Sequence, residues 1–458
     1  MNDAATSTAA ITPHPLVTAP ILPTLLRLTL PNLAAMLAST LVAIAETYYV
    51  GVLGTAPLAA IALVFPLMML MQMLSAGAMG GGVSSAISRA LGAGDVVRAE
   101  RLAFHAAAIG VFAGLGFSLF FALLSPAILR LLGGRGAVLA EALGYANIVL
   151  NGAILIWLVN TLASIVRGTG NMRVPSLTLL AASALQIGIG GAFGLGLGPV
   201  PRLGLPGVAL GIMTAYTAGT LFLLWFLLTG RGRVRLRVGR AHFERAMFFD
   251  ILRVGAVSSL GPLQVVLIML ILTALVARFG TEALAGYGIG ARLEFLLVPI
   301  AFAVGVASVP LVGMAMGAGK IARARRVAWT SAGLSVAALA AIGAVVTIAP
   351  DLWSGIFTDD AGVRASANLY LRWAGPGFAF VGLGLSLYFA SQGAGHVLPP
   401  ILAGIVRLAV IAFGGWVIAT SDTSAWVLFA LIGVSMVAFG LSVAAAVYLT
   451  PWGPLERG

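Results

Sequence analysis

The decapeptide "GAGDVVRAER" (Gly92–Arg101) returns as "GAGKIARARR" (Gly317–Arg326), 225 positions further along a chain of 458 residues. Gly92, Ala93, Gly94, Arg98, Ala99 and Arg101 all meet identical residue types in the second copy. Charged residues make up only 9% of the chain, so a chance recurrence of this basic loop is a poor explanation. Other pairs share the register. Arg27 matches Arg253, and "GTAPLA" (Gly54–Ala59) matches "GTEALA" (Gly280–Ala285), both at 226. Tyr145 with Tyr370, Gly152 with Gly377, and "GTGNMRVP" (Gly168–Pro175) with "GAGHVLPP" (Gly393–Pro400) lie at 225. Single Gly or Ala matches carry no weight in this composition. Several matches at one register describe a duplication.

What is duplicated belongs in lipid. The chain is 60% hydrophobic, whereas a soluble domain carries about one-quarter charged residues. Apolar runs long enough to cross a bilayer recur throughout. They are continuous, as in "LLRLTLPNLAAMLASTLVAIA" (Leu25–Ala45), where a membrane β-barrel would alternate. With no cysteine, disulfides and thiolate metal sites are excluded. The four histidines (His14, His105, His242, His396) are too scattered for a local metal motif. The net charge of +12 does not point to nucleic acid, because the arginines sit between apolar spans.

Breaks at Gly, Pro and charge clusters predict twelve spans. The first six are 25–50, 57–83, 100–124, 138–165, 175–198 and 206–229. The second six are 248–277, 283–312, 326–349, 364–390, 399–419 and 424–450. Basic residues crowd alternate connections: Arg89, Arg98 and Arg101 after span two, and Arg167 and Arg173 after span four. Arg231, Arg233, Arg235, Arg237, Arg240 and Arg245 follow span six, and Lys320, Arg323, Arg325 and Arg326 follow span eight. The opposite connections are poorer, with Arg135, Arg202, Arg278 and Arg364 spread over several of them and diluted by Asp359, Asp360 and Asp422. The positive-inside rule therefore predicts a multi-pass protein of the cell (inner) membrane with both termini cytoplasmic.

Six spans per copy is an even number, so both copies enter from the same side. The expected fold is an all-α integral membrane protein: two parallel six-helix lobes related by a pseudo-two-fold axis along the membrane normal. Such proteins bind substrate between the lobes and rock one against the other. The predicted divisions are a flexible N-terminal tail (1–24), a first lobe (25–230), a basic linker (231–247), a second lobe (248–450) and a short C-terminal tail (451–458). The repeated Gly-Ala-Gly loops are read first as topology and turn geometry.

Glu46 lies late in span one, within "VAIAETYYV". An ionised carboxylate inside a bilayer costs about 2.5–3.5 kcal/mol on insertion scales. It persists only by facing water, pairing with a cation or holding a proton, which is the behaviour a coupling site requires. The second copy has Leu272 at the equivalent position, so coupling is expected in the first lobe alone. In the second lobe Arg292 and Glu294 lie two apart, on different helix faces, and Glu294 is expected to form a buried pair across helices with Arg407. Tyr49, Met69, Met73, Gln264, Arg292, Glu294 and Arg407 are the candidates for lining a substrate cavity. The methionines offer pliable apolar surface.

These stretches resemble the multidrug and toxic compound extrusion (MATE) family. The resemblance rests on "ETYYVGVLGTAPLAAIAL" (Glu46–Leu63), the two Gly-Ala-Gly loops, "GTGNMRVP", "QGAGHVLPP" (Gln392–Pro400) and "GARLEFLLVPIAFAVG" (Gly290–Gly305). Arg292 and Glu294 make the DinF-like branch the most similar. The resemblance implies a monomeric antiporter without cofactors, in which proton or sodium entry drives export of amphipathic or cationic organic compounds. It also marks two departures: the usual Asp is Glu46 here, and a second carboxylate expected four residues after Gln186 is Gly190, which leaves Glu46 with neutral oxygens from Gln186, Asn147 or Asn151 as candidate partners, for a proton or for a sodium ion held near Glu46. A lipid-linked oligosaccharide flippase is the alternative, disfavoured by the few central cations (Arg292, Arg407, Arg372). An intramembrane enzyme is disfavoured because no paired carboxylates or Ser/His arrangement lie within the spans.

Overall fold

A backbone dissolved in lipid must satisfy its own hydrogen bonds, and continuous apolar runs do so as helices. The computed structural model describes residues 15–237 and 242–453. Its long helices are α1 (Ile21–Leu53), α2 (Thr55–Gly92), α3 (Val96–Leu131), α5 (Arg173–Leu195) and α6 (Leu205–Leu228). Between α3 and α5 stands a bent pair, Gly136–Val149 and Ala153–Gly168, which cross at 45° and together form α4. The second half holds α7 (Arg245–Ala277), α8 (Thr281–Gly317), α9 (Ile321–Ile348), α10 (Ala361–Ala394), α11 (Leu398–Thr420) and α12 (Ala425–Leu449). Twelve spans in two lobes of six result.

Several helices outrun their predicted spans, because a fall in hydropathy marks water and not the end of backbone bonding. The ends are set by turn residues. Gly94 (φ 78°) and its repeat mate Gly319 (φ 71°) take left-handed backbone conformations where α2 and α8 stop, a region side chains disfavour.

The residues just before those turns explain the repeat. A Cβ on Gly92 would stand 2.2 Å from the Met314 carbonyl oxygen, and one on Gly317 would stand 2.0 Å from that of Arg89. Met314 is the repeat mate of Arg89. The contact is therefore reciprocal, as a two-fold axis demands. A Cβ on Gly313 would likewise overlap Oγ of Ser88, its own repeat mate. The pseudo-two-fold axis passes between α2 and α8 here, and the lobes touch backbone to backbone. Turn geometry alone, the first reading of these loops, understated their role. Around this seam α2 and α8 are buried on all sides (residues 77–88 and 303–315), whereas residues 55–70 and 281–300 keep an exposed face.

The basic ends of the helices also hold chain segments in place. Residues 15–24 belong to no flexible tail: Pro15–Thr18 forms a helical turn, α1 begins at Ile21, and Val17 is buried. Arg323 donates to the carbonyls of Leu16 and Ala19, which fixes the turn. Arg325 similarly donates to Val447 and Tyr448 at the end of α12. Residues 1–14, 238–241 and 454–458 of the predicted tails and linker lie outside the described residues. The described part of the linker is packed: Val234 and Leu236 are buried, Arg237 meets Glu100 at 2.8 Å and Arg101 meets Glu244 at 3.2 Å. His105 anchors the entry to α7, accepting the Glu244 N–H at Nε2 (2.8 Å), with Nδ1 2.7 Å from the Arg101 carbonyl oxygen.

Candidate functional site

Glu46 is half-buried on α1, where α5 passes beside it. Gln186 Nε2 donates to Glu46 Oε1 at 2.6 Å. An amide suits a carboxyl that changes protonation, since it can donate to the ionised form and accept from the neutral one. The position four residues on, Gly190, sits at a close crossing of α5 and α6. A Cβ on Gly211 would come within 2.5 Å of the Gly190 Cα, so backbones meet at the position where the resemblance leads to the expectation of a second acid.

Two phenols, Tyr145 of α4 and Tyr216 of α6, lie within electrostatic reach of Glu46. Tyr216 begins a polar chain through the lobe. Gln72 Nε2 donates to Tyr216 Oη, and Gln72 Oε1 accepts from Asn160 Nδ2 at 2.8 Å. Asn160 Nδ2 also lies 2.9 Å from Ser75 Oγ. Residues Met73–Met79 widen into a π-helical turn beside it, a feature that recurs at functional sites. Carboxyl, amide and phenol groups from α1, α2, α4, α5 and α6 thus converge in one otherwise apolar lobe. Such groups can hold and pass a proton. Replacing Gln72 with Leu would leave Tyr216 and Asn160 without their partner; transport should fall roughly 3–10-fold on the scale of one lost buried hydrogen bond, read by dye efflux.

Of the predicted partners, only Gln186 bonds Glu46. Asn147 is exposed, and Asn151 stands at the α4 bend with its Oδ1 buried and without a hydrogen-bond partner. Tyr49 lays its ring against Gly191 of α5, where a Cβ would approach it to 2.9 Å. Met69 and Met73 are partly buried on the α2 stretch leading into the π-helical turn.

The second lobe is organised differently. Gln264 Nε2 donates to the Ile401 carbonyl of α11 at 3.2 Å. Glu294 and Arg407 interact electrostatically, together with Tyr287, yet they form no ion pair within 4 Å among the described residues, so the predicted direct pair is corrected. The Arg407 guanidinium lies 5.8 Å from the Phe439 ring, and its Nε has no hydrogen-bond partner. Arg292 is exposed and points away, its guanidinium 5.4 Å from the Phe357 ring. Two residues along a helix turn the chain by about 200°, so Arg292 cannot share the inward face of Glu294.

The profile of the family described as MatE matches residues 31–190 and again 258–417, one match in each lobe. The chain is 27% identical over 317 residues to the FAD transporter of Shewanella oneidensis, covering 68% of this chain and 69% of that one. It is 26% identical over 400 residues to the multidrug export protein MepA of Staphylococcus aureus, covering 86% and 87%. Its fold is similar to a MOP superfamily transporter from Pyrococcus furiosus, with a TM-score of 0.87 at 22% identity over 95% of this chain and 96% of that one.

Proposed function

The chain belongs to the MatE family of membrane transporters, and on that premise we propose that it is a proton-coupled antiporter exporting amphipathic or cationic organic compounds. It is a multi-pass membrane protein and not an enzyme. The observation that carries the proposal is the Glu46 carboxyl, held by Gln186 at 2.6 Å in the first lobe, where the equivalent position of the second lobe is Leu272. Protonation at Glu46 on the outer side and release within are tied to rocking of the lobes about their glycine seam. Protons are preferred to sodium because the group offered to Glu46 is an amide N–H, whereas a sodium ion wants several oxygens.

The basic connections support a cytoplasmic placement of both termini in the inner membrane, and each chain carries a whole two-lobed unit, so a monomer suffices. MepA is a multidrug export protein, which supports drug-like substrates. The FAD transporter makes an anionic flavin nucleotide the second compound to assay.

Cells expressing the chain should tolerate a cationic dye such as ethidium several-fold better than control cells. The benefit should vanish with a protonophore and survive collapse of the sodium gradient. The reverse dependence would overturn the choice of ion, and protection without any gradient would overturn antiport.

A further inference from the structure

We propose that Asp250 is a positioning residue for the transport cycle, holding the basic end of the two lobes shut and setting how often it opens. This rests on the alternating-access reading above. Asp250 stands in the first turns of α7. Its Oδ1 meets Arg89 Nη2 of α2 at 2.7 Å and its Oδ2 meets Arg98 Nη2 of α3 at 2.9 Å. Arg253, one turn further along α7, brings Nε to 3.9 Å. One carboxylate therefore serves three guanidinium groups.

The bonds continue across the lobes and return. Arg89 Nη1 donates to Ser85 Oγ, which in turn donates to the Gln392 carbonyl of α10, with that of Gly393 at 3.2 Å. Gln392 Nε2 lies 3.0 Å from Ser258 Oγ, back on α7, and 3.3 Å from the Gly77 carbonyl oxygen of α2. The ring α7–α2–α10–α7 closes beside the Gly92–Gly317 seam, and it is intact only while the lobes touch. The remaining charges nearby do not replace Asp250. Asp95 Oδ1 is engaged by the Arg98 backbone N–H at 2.8 Å. His396, in the turn before α11, has its pKa lowered by burial and by Arg253 and Arg89, so it contributes no charge of its own to the cluster. Without Asp250, three arginines would face one another across the closed end, and opening would relieve their repulsion.

The chain has no cysteine, so one introduced thiol reports on the seam without background. Met314→Cys places it where the side chain is fully buried at the lobe contact. In detergent, the purified Met314→Cys protein should react slowly with a maleimide. Adding Asp250→Asn should raise that rate at least tenfold, and Arg98→Gln should raise it less. Exchanging the charges (Arg89→Asp with Asp250→Arg) should restore slow reaction, which a merely structural defect would not. An Asp250→Asn rate equal to the parent's would overturn the proposal. If that rate still responds to pH or to dye, alternating access stands and only the role of Asp250 fails. If no condition changes it, both fail.

Discussion

Glu46→Gln will end coupled export while leaving the protein abundant in the membrane. The amide copies the shape of the carboxyl, and its oxygen can still accept the hydrogen bond from Gln186 that is now 2.6 Å long. It cannot take up or give up a proton. Loss of a positioned proton-transfer group is felt on a scale of about 100-fold or more, so dye efflux should drop to the level of membranes without the protein. Expression should hold, because a neutral amide is cheaper to keep in a bilayer than a charge. Glu46→Asp is the informative companion. It retains the proton site but, one methylene shorter, sets it back from Gln186, and efflux should fall by an intermediate amount. Normal export by Glu46→Gln would remove Glu46 from the mechanism.

The second large effect belongs to the seam. In Gly317→Val, the new side chain would have to stand 2.0 Å from the Arg89 carbonyl oxygen and 2.9 Å from the Ala93 nitrogen. Both neighbours are backbone and cannot rotate aside. Overpacking commonly costs about 1–3 kcal/mol, and here separation of the lobes at the basic end relieves it. The variant should therefore fold, bind dye and fail to turn over, with efflux reduced at least tenfold. The repeat predicts that Gly92→Val, pressed against Met314 in the same way, does equal harm. Gly333→Ala is the control, since a Cβ there meets nothing within 4 Å. Unimpaired efflux by both valine variants would show that the closed basic end is no part of the cycle.

The duplication, the twelve spans and the asymmetric acid were legible in the chain because each depends on composition or register. Glu46 was legible as a lone carboxylate in an apolar span, and Gln186, four spans away in the chain, became its candidate partner only through the family resemblance. Helix rotation was not. Tyr145 and Asn147 lie two apart on one helix, so burying Tyr145 toward Glu46 turns Asn147 outward. The same arithmetic separates Glu294 from Arg292. Gln72 and Asn160 were hard to read for another reason. Gln72 sits in "MMLMQML" (Met68–Leu74), where four methionines dominate the composition around the single amide. An uncharged polar side chain in so apolar a run is itself the signal, since it needs a partner in lipid. The role of the Gly-Ala-Gly loops needed coordinates, because a turn and a lobe contact use the same glycines.

The most direct test of the account uses purified protein in sealed proteoliposomes loaded with a cationic dye, with proton and sodium gradients imposed separately. An inward proton gradient alone should drive dye out against its concentration, with protons moving the other way, and Glu46→Gln should abolish both fluxes together. Dye movement driven only by sodium, or proton-driven movement that survives in Glu46→Gln, would contradict it.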